Sequence, residues 1–303
     1  MRIRFLAMVA ATLALLLGTG TAALAASATA SGAGGPAYYL SLGDSLAQGV
    51  QPTSSGVSAV TDQGYVDDLY AAYRRQVPGL QLVKLGCPGE STDTMINGGA
   101  CKSYPSPGSS QLAAAAHFLA HPPHGGHIAL VTLDIGANDV DGCVSVSVSA
   151  AVADDACVAG GIKAAGTNLP VILGALRAAD PGVRVVGMNY YDPFLAVWRQ
   201  GSDGQLLAKD SVGLTNAFNR VLESAYKAAG VPVADVSTAF FTNTFTMRPV
   251  VNLPLNVATI CVLTWMCAPA PVGPNIHPRP LGYRVIAGTF VTKVGSLRAA
   301  SRG

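Results

Sequence analysis

The chain has 303 residues, 50% of them hydrophobic and 12% charged, with a formal charge of +2. Two of its 19 basic residues, Arg2 and Arg4, fall in an N-terminal segment that reads as a cleavable signal, so the mature chain is neutral, 17 basic against 17 acidic residues. A neutral chain has no electrostatic case for nucleic acid as a partner, and its length suits one domain with a sizeable core or two small ones.

In chain order, residues 1–26 form the predicted secretory signal: a basic start, an apolar run over 5–17, and small residues Ala-Leu-Ala at 23–25 for cleavage. The run is short for a membrane span and lacks a polar stop-transfer flank, so no stable membrane span is expected after cleavage. An extracellular location follows. Residues 27–36, SATASGAGGP, read as a flexible linker, and 37–298 as one domain. Apolar strand-like runs are predicted at 37–42, 80–85, 127–135, 183–188 and 231–236. The run HIALVTLDI at 127–135 is nearly continuous, as for a strand buried on both faces. Helical patterns fill the gaps at 62–76 (Tyr65, Leu69 and Tyr73 spaced by four), 109–120, 162–179 with entry near Pro170, 211–229 ended by Gly230, and 281–296. Strands separated by helices imply a parallel sheet with right-handed crossovers. Residues 136–160 and 237–276 break this rhythm and read as long loops.

Six cysteines behind an export signal favour disulfides. They form three local couples, Cys87–Cys101, Cys143–Cys157 and Cys261–Cys267, each bracketing one loop-like segment, and local pairing is expected. A zinc site is the competitor, but no C-x2-C or H-x3-H spacing supports it. His121, His124 and His127 stand among prolines and glycines and read as a solvated loop, not a metal cluster.

Three suggestive clusters fall just after predicted strands, where open α/β sheets bind ligands. These are Gly43-Asp44-Ser45, then GCPGEST at 86–92, then GAND at 136–139; NIHP at 275–278 precedes the last helix. Each alone has a bland reading. Ser45 is a plausible helix cap, Gly89 and Asn138 are plausible turn residues, and Asp44 and Asp139 read as structural acceptors for local N–H groups. Three strand ends converging on one rim outweigh any single cluster.

In this order and spacing the four clusters resemble the SGNH hydrolase family, also called GDSL esterases and lipases. LGCPGEST, GPNIHPRPLGY and the cysteines are similar to its secreted actinobacterial branch. The resemblance runs from about residue 38 to about 286. The chain has no G-x-S-x-G at Ser45, so the α/β-hydrolase elbow is the wrong comparison. The resemblance implies a three-layer α/β/α sandwich around a five-stranded parallel sheet in flavodoxin-like order. It implies Ser45 as nucleophile and His277 as base. The oxyanion donors it implies are the Ser45 N–H, the Gly89 N–H, with Gly86 as its rival, and the Asn138 side chain. The expected activity is carboxylic ester hydrolysis through an acyl-serine, by a monomer that needs no cofactor or metal, on a small-molecule or lipid ester.

Many members carry an aspartate two or three residues before the histidine, but here those positions are Asn275 and Pro274. The expectation is a Ser-His dyad whose ring is held by a backbone carbonyl near Trp265. The alternatives are Asn275 through its side-chain oxygen, or a distant Asp134 or Asp141. Segment 250–272 is unusually apolar and is a candidate acyl-pocket lining, or ordinary core; Tyr190, Tyr191 and Trp198 are a candidate second wall. A short-to-medium acyl chain is expected. The competing readings are a non-catalytic cell-envelope binding module on a degenerate hydrolase fold, and a polysaccharide O-deacetylase or acyltransferase.

Overall fold

The computed structural model describes residues 35–146 and 151–297. The predicted signal, most of the linker and residue 298 lie outside them. Five strands, β1 (Ala37–Gly43), β2 (Gln81–Lys84), β3 (His127–Asp134), β4 (Val185–Met188) and β5 (Val233–Ala234), form one all-parallel sheet in the order β2-β1-β3-β4-β5. This is the flavodoxin-like order, with the switch point between β1 and β3. Every residue of β1 is buried, as is β3 from Leu130 to Asp134, because helices cover the sheet.

Among the described residues, seven α-helices of six residues or more surround the strands: α1 (Tyr65–Tyr73), α2 (Thr92–Asn97), α3 (Gln111–Ala120), α4 (Asp155–Ala179), α5 (Ser202–Ala228), α6 (Leu255–Leu263) and α7 (Pro280–Val294). α1 packs on α7, with Tyr65 and Phe290 stacked at 4.8 Å, while α3, α4 and α5 pack in succession. Core tyrosines keep partners for their hydroxyls: Tyr39 shares a 2.9 Å bond with Thr132 Oγ1, and Tyr283 donates to Val50 O at 2.8 Å. α4 is long and apolar enough to cross a membrane. It instead turns Ala165, Leu169, Ile172 and Leu176 into the core.

Several predicted boundaries move. α4 starts at Asp155 rather than 162, because Asp154 caps it, accepting from the N–H groups of Ala156 and Cys157 at 3.1 Å each. Pro170 therefore lies inside the helix, not at its entry. α5 starts at Ser202 rather than 211, and β5 shrinks to two residues. The supposed loop 237–276 contains α6 and a hairpin, Met247–Arg248 against Leu253–Pro254. Loop 136–160 contains a helical turn (Ala137–Val140), a hairpin (Val144–Val146 against Ala151–Ala153) and the start of α4. Disulfides join Cys87 to Cys101, Cys143 to Cys157 and Cys261 to Cys267, and no cysteine is free.

Candidate active site

β1 ends on Gly43, whose φ of +137° and position suit only glycine: a Cβ there would stand 2.1 Å from Asp134 O. The chain then turns sharply. Asp44 donates its N–H to Asp134 O at 3.1 Å, and Asp44 Oδ1 accepts from the Leu46 N–H at 2.9 Å. Asp44 thus serves as a local acceptor. Ser45 opens a run of turns over 45–49 and caps no helix. Its carbonyl is held by the N–H groups of Gln48 and Val50, so its hydroxyl sits half-buried at the carboxyl end of β1.

His277 arrives from the other end of the chain. A bridge between Thr264 and Pro278 clamps its backbone: Trp265 N–H donates to His277 O (3.1 Å) and Arg279 N–H to Leu263 O (2.8 Å). Arg279 also covers the Trp265 ring at 4.2 Å. Tyr191 Oη donates to Ile276 O at 2.7 Å, fixing the residue before the histidine. The result is a His277 Nε2 to Ser45 Oγ distance of 2.9 Å across 232 residues of chain.

The other ring nitrogen meets Asn275. Its Oδ1 lies 2.8 Å from His277 Nδ1 and accepts the backbone N–H of His277 at 3.0 Å. Because a backbone N–H only donates, the amide atom facing it must be the oxygen, so Nδ1 must carry the hydrogen. Asn275 Nδ2, on the far side, donates to Ser58 Oγ at 3.1 Å. The network leaves the Nε2 lone pair pointed at Ser45. The carbonyl expected at the ring is elsewhere: Trp265 O accepts from Ala268 N–H (3.1 Å) and Asn275 N–H (3.3 Å). Neither distant carboxylate holds the ring: Asp134 accepts from Tyr65 Oη and from the Asp44 and Ala47 N–H groups, and Asp141 lines the cavity described below.

Asn138 stands one residue into the turn that follows Gly136, whose φ is +117°. One Nδ2 hydrogen of Asn138 goes to Glu90 O at 2.9 Å, and the amide has a second to offer. Gly89 has φ +82° and lies exposed in the turn closed by Glu90 N–H to Cys87 O at 3.0 Å. Gly86 is tied down differently, its carbonyl accepting from Gln48 Nε2 at 2.6 Å.

Sequence reasoning missed two residues that join these turns. Gln111, fully buried, brackets Gly43: its Oε1 accepts the Gly43 N–H at 2.6 Å and its Nε2 donates to Gly43 O at 2.9 Å. The same Nε2 donates to Glu90 Oε2 at 2.9 Å, and Tyr104 Oη does so at 3.0 Å. Glu90 thereby ties the Ser45 turn, through Gln111, to Asn138. Asp139 accepts from Thr92 N–H (2.8 Å) and Thr92 Oγ1 (2.6 Å), fastening the Asn138 turn to the start of α2. The one available signal was a pair of polar residues, Glu90 and Gln111, in otherwise apolar or turn surroundings.

Burial pushes the His277 imidazole down to about 4, and among the described residues no hydrogen bond or ion pair joins the ring to a carboxylate. Burial also lifts Asp44 and Asp192 to about 6 and Asp141 to about 7. Asp134 rises too, by burial first and by the Asp44 charge second. Ser45 and His277 open onto a cavity of about 140 Å³. Its walls are mostly apolar: Val158 and Ile162 on α4, Phe194 and Val197 in the turn over Pro193–Gln200, Leu214 and Phe218 on α5. Tyr190 and Tyr191 line it; Trp198 and segment 250–272 do not. Within that segment, α6 packs against the Pro193–Gln200 turn instead, and Phe245, just ahead of the segment, lies against Trp198 at 5.6 Å. The arrangement can take a proton from a hydroxyl, donate hydrogen bonds beside it, and enclose a short apolar group.

No curated protein sequence matches the chain significantly. Among solved structures, the fold is similar to an extracellular lipase from Streptomyces rimosus, with 18% identity and a TM-score of 0.53 over 85% of this chain and 99% of that one. It is also similar to phospholipase A1 from Streptomyces albidoflavus, with 20% identity and a TM-score of 0.51 over 86% and 100%. The family model for GDSL-like lipases and acylhydrolases matches residues 41–285, which span every residue of the site, and the chain belongs to that family.

Proposed function

We propose that the protein is a secreted serine esterase that cleaves carboxylic esters through an acyl-serine, with Ser45 as nucleophile and His277 as base. The observation that carries this reading is the 2.9 Å contact between His277 Nε2 and Ser45 Oγ, with Nδ1 held by Asn275. Ser45 Oγ attacks the ester carbonyl as its proton passes to Nε2; the same proton then goes to the departing alcohol. His277 then takes a proton from water, which attacks the acyl-serine, and returns that proton to Ser45 Oγ as the C–Oγ bond breaks and the acid leaves. The oxyanion of each tetrahedral intermediate is met by the free N–H of Asn138 and the backbone N–H groups of Ser45 and Gly89. Asn275 fixes the tautomer without supplying a charge.

The cavity supports a short-to-medium acyl chain. A void near this size holds a benzene ring, roughly six carbon atoms. Three disulfides support an oxidising, extracellular destination. The test is turnover of p-nitrophenyl esters of graded acyl length. Short esters should be cleaved fastest, and Ser45→Ala should lower kcat by on the order of 10⁴ or more. Activity confined to long chains or to acetylated sugars would reject the substrate reading. A Ser45→Ala enzyme with normal turnover would reject the mechanism.

A further inference from the structure

Residues 237–276 carry no aspartate, glutamate, lysine or histidine, and their one charge is Arg248. The acyl cavity does not use this stretch between 237 and 275. At its centre the hairpin Met247–Arg248/Leu253–Pro254 projects a tip in which residues 246–252 are all exposed. The tip is a formed turn: Val251 N–H donates to Arg248 O at 3.2 Å, with Pro249 and Val250 between them and Asn252 at φ +49°. Val250 is 98% exposed, Val251 54% and Met247 48%. Turn tips ordinarily carry Gly, Asn, Asp or Ser. Two adjacent valines there break that rule, and Val250 gains almost no burial and Val251 about half in the folded chain, which marks a surface kept for something outside it.

We infer that this tip is a lipid-docking element that inserts Val250, Val251 and Met247 among the headgroups and acyl chains of a phospholipid surface, with Arg248 meeting a phosphate. The chemistry is complementary on both counts. The exposed side chains are apolar, and the lone flanking charge is positive, with no carboxylate across forty residues to repel phosphate. A formed hairpin also loses little conformational freedom on inserting. The placement is apt. Residues 237–276 begin just past the carboxyl end of β5, on the rim that holds Ser45 and Asn138, and end beside His277. Phe245, at the hairpin base, packs on Trp198, and the same Pro193–Gln200 turn lines the acyl cavity through Phe194 and Val197. A lipid surface held by the tip would lie beside the turn that forms the cavity wall.

This inference deepens the esterase reading by placing the enzyme at a lipid interface, where apolar short-chain esters concentrate, but the binding itself does not depend on that reading. The test is co-sedimentation of the mature protein with vesicles of phosphatidylcholine and phosphatidylglycerol. The wild type should sediment with the vesicles. Val250→Asp with Val251→Asp should weaken binding by at least about tenfold, and Arg248→Gln by about fivefold. Cleavage of a soluble p-nitrophenyl ester should be unchanged in both variants, which shows that they fold. Failure of the wild type to bind, or equal binding by the double variant, overturns the inference. So does light scattering that shows a dimer abolished by the double variant, since the tip would then belong to a second copy. Vesicle binding by a protein that cleaves no soluble ester would leave the docking standing and remove the esterase reading.

Discussion

Asn275 is the residue on which the chemistry of this site turns. In a chymotrypsin-type triad, replacing the aspartate by asparagine costs about 10⁴ in kcat because the amide holds the wrong tautomer. Here the backbone N–H of His277 has already claimed the amide oxygen, so the same side chain holds the right one. What it lacks is charge to support the imidazolium. Asn275→Ala should therefore lower kcat by about 10- to 100-fold, the worth of one or two buried hydrogen bonds, and far less than Ser45→Ala. Asn275→Asp should move the acid limb of kcat/KM upward from near pH 4, because a carboxylate at 2.8 Å favours the charged ring. A pH profile of the three enzymes checks both. An unmoved limb in Asn275→Asp, or an unaltered kcat in Asn275→Ala, would remove Asn275 from the account. Asn138→Ala should cost about 10²–10³ in kcat.

At the scale of elements, the link from α3 to the β1 turn through Gln111 holds the site together. Gln111→Ala would leave the buried Gly43 N–H without its acceptor, and would leave Gly43 O with only the Cys87 N–H and Glu90 Oε2 with only Tyr104 Oη. Urea denaturation should report a loss of about 1–3 kcal/mol, and kcat should fall with it. Stability equal to wild type would show that the bracket is incidental. This link also marks where the sequence stops being legible. The run HIALVTLDI announces a buried strand by itself, and the clusters after β1, β2 and β3 announce a rim, because strand ends and turn residues are local patterns. The contact between Gln111 and Gly43 spans 68 residues and has no local signature. The early starts of α4 and α5 are hidden for a related reason: DACVAGG is a weak helix former stabilised by the Asp154 cap and by packing, and the poor opening Ser-Asp-Gly of α5 masks the helix-forming residues behind it. The apolarity of 250–272 was visible, but apolarity does not say which side of a wall a segment lines.

Across the whole molecule, titratable burial sets the response to pH. Asp44, Asp141 and Asp192 are raised to about 6–7, and Asp68, Asp134 and Asp139 are raised as well. Each binds its proton more tightly folded than unfolded, so the stability it contributes is present below about pH 4 and is lost as pH rises through its folded value. His277 and Asp235 are lowered and work the other way; His277 loses stability as pH falls from 6.5 through about 4. Between pH 5 and pH 8, Asp44, Asp141 and Asp192 lose stability against the one gain from His277, which predicts a higher Tm at pH 5 than at pH 8; thermal unfolding at the two values checks this, and a Tm that rises toward pH 8 would contradict the buried-acid picture. The central claim, that Ser45 is an activated nucleophile, is tested most directly by treating the protein with a fluorophosphonate and locating the adduct by peptide mass spectrometry. The prediction is a single phosphonylated serine at Ser45, absent in Ser45→Ala and formed far more slowly in His277→Ala. An unlabelled protein, or a label elsewhere that survives Ser45→Ala, would contradict it.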